Sequence, residues 1–148
     1  MMLSKILICC VGNICRSPMA EALFRQRAST QLAAPIEVRS AGTQALIGHT
    51  PDKLAIQLMA EKKLDISEYV GTKLNDELVR WADIILVMEV SQKQHIEQRH
   101  PTTRGKVFRL LEDERLEIPD PYRQDMTAFK KAYDLIERGV DQWVTKLA

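Results

Sequence analysis

Residues 10 to 17, Cys-Val-Gly-Asn-Ile-Cys-Arg-Ser, place a thiol, a glycine, an asparagine, an arginine and a serine in one short segment. It follows the apolar run Ile6-Leu7-Ile8-Cys9 and precedes Pro18. It therefore reads as a loop from the carboxyl end of a buried strand into a helix, with Ser17 as cap and Pro18 in the first turn. Backbone N–H groups of such a loop (Val11, Gly12, Asn13, Ile14, Cys15, Arg16, Ser17) can converge on one anion, where the helix end adds positive charge. Gly12 lets the backbone approach a ligand closely, and Asn13 tolerates a left-handed conformation. Arg16 offers a planar, bidentate match to phosphate oxygens. The nucleotide version of this cradle carries lysine before its serine, which is absent here. A thiol opens the loop instead. These surroundings favour the thiolate, the nucleophilic form of cysteine, and Ser17 can donate a hydrogen bond to it. A Cys10 thiolate beneath a bound phosphate is set for in-line attack on phosphorus. Cys9 points to the opposite face of the strand and reads as core.

The elements around this loop follow from hydrophobic patterning. Ile36 to Arg39 alternates and reads as a second strand ending at Ser40-Ala41-Gly42. Thr50-Pro51 predicts a helix start, with an apolar stripe of Leu54, Ile56, Leu58 and Met59 continuing to Leu64. Residues 74–81 predict a short helix, 83–88 a buried strand and 91–99 a polar helix stopped by Pro101. A last strand is expected at 106–108, then a loop over 110–123. The final helix has Asp125 as cap and Phe129, Ala132, Tyr133, Ile136, Val140, Trp143 and Leu147 at helical spacing. Strands alternating with helices predict an α/β fold, a parallel sheet with helices on both faces and the phosphate-binding loop after the first strand. No repeat or linker divides residues 1–148, which read as one domain.

The 148 residues suffice for a real core, and 45% hydrophobic with 28% charged residues is an ordinary globular composition. A net charge of +1 argues against a nucleic-acid partner. The 3 cysteines cluster within residues 9–15, a poor disulfide framework that suits a reducing compartment. No apolar run is long enough for a membrane span, and the start, Met1 to Lys5, carries no secretory pattern. The chain is read as complete and cytoplasmic, without stable membrane association, and as a monomer.

The segment C-V-G-N-I-C-R-S-P-M-A-E resembles the signature of the low-molecular-weight protein-tyrosine phosphatases. The likeness extends to Ser40-Ala41-Gly42, to the strand 83–88 with Glu89, and to Ile118-Pro119-Asp120-Pro121-Tyr122. Arg104-Gly105-Lys106 and I-P-D-P-Y-R are similar to the bacterial subfamily of capsule and exopolysaccharide systems. The resemblance implies a four-stranded parallel sheet, with Cys10 forming a phosphocysteine and Arg16 clamping phosphate. It makes Asp120 the acid that protonates the leaving oxygen and then the base for hydrolysis. Lying between Pro119 and Pro121, Asp120 is also rigidly presented, as a proton donor must be. Asn13 and Ser40 are implied to shape the cradle and Ser17 to favour the thiolate. Tyr122 and Leu46 are implied as walls for the substrate ring. No metal or cofactor is implied. The implied partner is a phosphotyrosine protein, a membrane tyrosine autokinase with a tyrosine-rich tail.

One segment departs from the family pattern. Tyr69-Val70-Gly71-Thr72 stands where many members have H-x-A-R, so Tyr69 is expected either to hydrogen-bond Glu89 in place of that histidine or to leave the network absent. His49, His95 and His100 read as surface residues. Cys15 lies near enough along the loop to resolve an oxidised Cys10 as a disulfide, which the resemblance supports. Arsenate reductases share the fold but need further cysteines, which this chain lacks after Cys15. Protein-arginine phosphatases carry threonine where Ile14 stands, so Ile14 with Tyr122 favours phosphotyrosine. A non-catalytic phosphotyrosine-binding module would require loss of Cys10, Arg16 or Asp120.

Overall fold

A computed structural model describes residues 3–148; Met1 and Met2, part of the start read above, lie outside the described residues. Four parallel strands, β1 (Lys5–Cys10), β2 (Glu37–Gly42), β3 (Ile84–Val87) and β4 (Val107–Arg109), form one sheet in the order β2-β1-β3-β4. Five helices accompany them: α1 (Arg16–Gln31), α2 (Lys53–Glu61), α3 (Asp76–Trp81), α4 (Val90–Arg99) and α5 (Met126–Leu147). The chain leaves β1 toward β2 on one side and later returns to β3 on the other. The carboxyl end of β1 is therefore the point where strand order reverses, the usual ligand position in such sheets.

Alternation along β1 divides the interior in two. Ile6, Ile8 and Cys10 face a core built with Met19, Leu23 and Phe24 of α1, Leu58 and Met59 of α2, and Phe129, Ile136 and Val140 of α5. Leu7 and Cys9 face the other layer, with Leu78 and Val79 of α3 and Ile96 of α4. Both sheet faces are covered, which explains why β1 and β3 read as unbroken apolar runs. Cys9 is fully buried in the layer away from Cys10, as alternation predicts.

Several helix starts differ from the sequence reading. The residue before α1 is Cys15, not Ser17, and no side chain caps it; Pro18 does lie in the first turn. The Ser17 hydroxyl cannot cap because Cys10 and Asn13 occupy it. For α2 the cap is Asp52 rather than Thr50, its carboxylate accepting the Leu54 N–H at 2.9 Å. Asp52 is as good a cap as threonine, and it stands beyond Pro51, whose ring pushes Thr50 toward extended backbone. Asn75 caps α3, which begins at Asp76 rather than Leu74, and Asp125 caps α5 as expected. His49 and His95 are exposed, but His100 is largely covered, its Nδ1 2.8 Å from Asp76.

Candidate active site

The loop after β1 is shaped from outside. A second segment, residues 43–52, binds its carbonyls: Thr43 N–H donates to Cys10 O, Gln44 to Val11 O, Leu46 to Gly12 O and Asp52 to Ile14 O, all within 2.8–3.0 Å. In a planar trans peptide the carbonyl and the next N–H point opposite ways. Turning these carbonyls outward turns the N–H groups of Val11, Gly12, Asn13 and Cys15 inward. Asn13 N–H donates to the Cys10 sulfur at 3.2 Å. The first N–H groups of α1, free of intrahelical partners, close the same ring.

Asn13 holds this shape from below. It takes the left-handed conformation expected of it, at φ 59°. Its side-chain oxygen accepts the Thr72 N–H at 2.9 Å, so its amide nitrogen must point the other way. That nitrogen donates to Ser17 Oγ at 2.7 Å and Ser40 Oγ at 3.0 Å. Each hydroxyl then has its single proton left to give. Ser17 directs it to Cys10 Sγ at 2.9 Å, and Ser40 to Glu21 Oε1 at 2.5 Å. The chain Cys10–Ser17–Asn13–Ser40–Glu21 is thus continuous. Glu21 is buried, and burial pushes its carboxyl up against the hydrogen bond from Ser40 and the charge of Arg25.

The expected Tyr69–Glu89 pair does not form. Tyr69 instead accepts from Arg25 Nη1 at 3.1 Å, and Arg25 Nη2 lies 2.6 Å from Glu21. Tyr69 sits on the β2 side of the loop, whereas Glu89 follows β3 and faces Arg16. The departing segment still supports the cradle, through backbone: Thr72 N–H binds Asn13, and a Cβ on Gly71 would meet the Leu46 carbonyl at 2.1 Å. Packing at the loop also requires Gly42, where a Cβ would lie 2.5 Å from Val11 O. Gly12 is different. It does not take a positive φ, and a Cβ there would meet only Ile14 at 3.5 Å, so the chain's own close approach belongs to Gly42.

Arg16 is 1% exposed although charged. Nη1 donates to Glu89 at 2.5 Å and to the Ile118 carbonyl at 2.8 Å. Nη2 lies 3.6 Å from Asp120, and the buried Nε has no hydrogen-bond partner. One edge of the guanidinium is anchored, and the Nε/Nη2 edge is available for a bidentate anion.

Asp120 closes the site. Ile118 N–H donates to Met88 O at 3.0 Å, tying its loop to the end of β3, and Trp143 Nε1 donates to Leu110 O at 2.9 Å. Asp120 Oδ1 accepts the Tyr122 N–H at 3.1 Å, which orients the carboxylate. A cleft of about 290 Å³ is lined by Cys10, Gly12, Ile14, Cys15, Arg16, Leu46, Asp120, Tyr122 and Arg123. Ser17, Asn13 and Ser40 lie behind its floor. A larger groove beside β2, lined by Ala28, Leu32 and Pro35 among others, gathers no comparable chemistry.

Residues 5–148 match the family described as low molecular weight phosphotyrosine protein phosphatase. The chain belongs to the low-molecular-weight protein-tyrosine phosphatase family. It is 49% identical over 146 residues to a probable low molecular weight protein-tyrosine-phosphatase, EpsP, of Ralstonia nicotianae, covering 99% of this chain and 97% of the relative. It is 42% identical over 150 residues to Wzb of Escherichia coli K12, covering 99% and 97%. The crystal structure of the tyrosine phosphatase Wzb from Escherichia coli K30 with sulphate superposes at TM-score 0.90, 38% identical and covering 99% and 100%. An arginine phosphatase, YwlE of Geobacillus stearothermophilus, superposes at 0.88, 32% identical and covering 97% and 92%. The phosphatase fold thus accommodates two phosphoryl donors, and the cleft walls must choose between them.

Sequence reasoning named most of the cleft residues but missed Gln44 and Arg123 of its lining, Glu89 as the partner of Arg16, and Glu21, Ile118 and Thr72 behind it. Glu89 carried a signal, since a buried arginine needs a carboxylate and Glu89 follows the strand beside β1. Ile118 and Thr72 act through backbone atoms and carry none.

Proposed function

We propose that this member hydrolyses phosphotyrosine on a protein through a phosphocysteine on Cys10, with Arg16 as phosphate clamp and Asp120 as acid and then base. The observation that carries the reading is the set of loop carbonyls held outward by residues 43–52, which aims the N–H groups at one point above the Cys10 sulfur. Three phosphoryl oxygens in the transition state carry the charge that this ring and the Nε/Nη2 edge of Arg16 are built to meet.

In the first step a sulfur lone pair attacks phosphorus while the bond to the tyrosine oxygen breaks, and Asp120 gives its proton to that oxygen. In the second, Asp120 takes a proton from water, whose oxygen attacks phosphorus and releases phosphate and the thiolate. Ser17 stabilises the thiolate each time it leaves. Tyr122 and Leu46 flank the ring, and aromatic contact there is worth about 0.5–1.5 kcal/mol. The resemblance of I-P-D-P-Y-R and Arg104-Gly105-Lys106 to the capsule-system subfamily supports a membrane tyrosine autokinase as substrate and the cytoplasm as its place of action. No helix is long and apolar enough to cross a membrane among the described residues.

Purified protein will release phosphate from phenyl phosphate and from phosphotyrosine peptides, and far more slowly from phosphoarginine peptides. The cleft carries Ile14 rather than the threonine of arginine phosphatases. Release from phosphoarginine alone would reverse the assignment.

Cys15 is proposed as a redox partner of Cys10. Its thiol is 3% exposed, and burial above all, with Asp52 and Cys10 adding to it, drives its pKa up, so it waits as a neutral thiol. Peroxide converts Cys10 to a sulfenic acid, and condensation with the Cys15 thiol forms the S–S bond and expels water. Oxidised wild type will regain activity with a thiol reductant, whereas Cys15→Ala will recover far less, having moved up the oxidation ladder. Equal recovery would reduce Cys15 to packing.

A further inference from the structure

The cleft mouth has two unlike walls. On one side Leu46 is 37% exposed and its neighbour Ile47 66%, an apolar rim. On the other, Tyr122 is followed by Arg123, whose guanidinium carbon lies 5.2 Å from the centre of the Tyr122 ring. Arg123 lines the cleft and is exposed. Among the described residues no carboxylate forms an ion pair with it. The acids nearest in the chain and in the site are already engaged: Asp120 with Tyr122 N–H and Arg16, Asp52 at the start of α2, and Asp125 at the start of α5.

The backbone adds a second point. Gln124 N–H donates to Pro121 O at 2.9 Å, closing a turn with Tyr122 and Arg123 at its centre. Arg123 has φ 64°. Such a turn favours glycine or asparagine at that position, and an arginine there is strained. Lys63 and Arg115 share the conformation in places that do not line the cleft, so strain alone assigns nothing. What sets Arg123 apart is its position on the substrate wall, with a planar fork held against an aromatic face and no internal partner.

We infer that Arg123 selects substrates with an acidic residue close to the phosphotyrosine, which its guanidinium pairs as the ring enters between Leu46 and Tyr122. The inference rests on the proposed phosphotyrosine activity and adds the charge of the sequence around the phosphate. A guanidinium resting on the Tyr122 face has lost part of its freedom already, so pairing costs less than for a free chain.

The test compares kcat/KM for two phosphotyrosine peptides that differ only in carrying glutamate or lysine on both sides of the phosphotyrosine. Wild type will favour the glutamate peptide by about three- to tenfold at low salt, the scale of a rim ion pair, and less at high salt. Arg123→Gly, which relieves the turn, will bring the ratio toward one, and Arg123→Glu will invert it. A general loss of activity lowers both peptides together and leaves the ratio, so a poorly folded variant cannot imitate the result. A ratio unchanged in both variants overturns the inference, as does a wild-type ratio of one with both peptides hydrolysed. Wild type inactive on phenyl phosphate and both peptides would instead overturn the phosphotyrosine activity on which it stands.

Discussion

Cys10→Ser will lower turnover on the order of 10⁴–10⁶-fold, as loss of an attacking nucleophile does, while phosphate or vanadate still raises the melting temperature. The serine hydroxyl fits where the sulfur sits, between the Asn13 N–H and Ser17. The inward N–H ring depends on residues 43–52, not on sulfur. Anion binding to the folded state then stabilises it by mass action in both proteins. Cys9→Ser is the control. Its side chain faces the α3/α4 layer, so activity should persist, and the cost should appear as a loss of about 1–3 kcal/mol of stability from a buried hydroxyl without a partner. Comparable loss of turnover from both substitutions would mean that Cys10 is not the nucleophile.

Asp120→Asn carries the second largest effect, a slowing of phenyl phosphate hydrolysis by roughly 10²–10⁴-fold, the usual worth of positioned proton transfer. Asparagine keeps the oxygen that accepts the Tyr122 N–H, so the turn survives while the transferable proton is lost. The deficit will shrink for nitrophenyl phosphate, whose leaving group departs without a proton. If rates fall equally across leaving groups of different basicity, Asp120 serves the loop's shape and not the proton transfer.

Much of the site was legible because it is local. Cys10 to Ser17 is one uninterrupted loop, and its chemistry is contained in the order of its residues. Asp120 was legible through the resemblance of Ile118-Pro119-Asp120-Pro121-Tyr122, with the two framing prolines as physical support. Alternation in β1 and β3 and the stripe of α5 placed the sheet and the cores, since burial on both faces leaves long apolar runs. The rest depends on partners distant in sequence. Whether Ser17 caps a helix or holds a sulfur depends on Asn13 being turned by Thr72, 59 residues away. Gly42 looks like an ordinary strand end until β2 is laid beside β1 in register with Cys10. Tyr69 meets Arg25 and not Glu89 because the two stand on opposite sides of β1, an arrangement that no spacing reveals.

Arg16 joins more than a phosphate to a helix. Through Nη1 it holds the Ile118 carbonyl, two residues before Asp120, and the same group holds Glu89 at the end of β3. The proposed clamp and the loop that carries the proposed proton donor therefore share one anchor, the Nη1 side of the guanidinium. A dianion seated on Nε and Nη2 would add its contacts to that anchor and so favour the ordered segment that presents Asp120. Linkage makes the relation reciprocal: the factor by which a bound anion favours the ordered 118–120 segment is the factor by which that order favours the anion. Anion affinity and the order of the segment that carries Asp120 are then two readings of a single equilibrium.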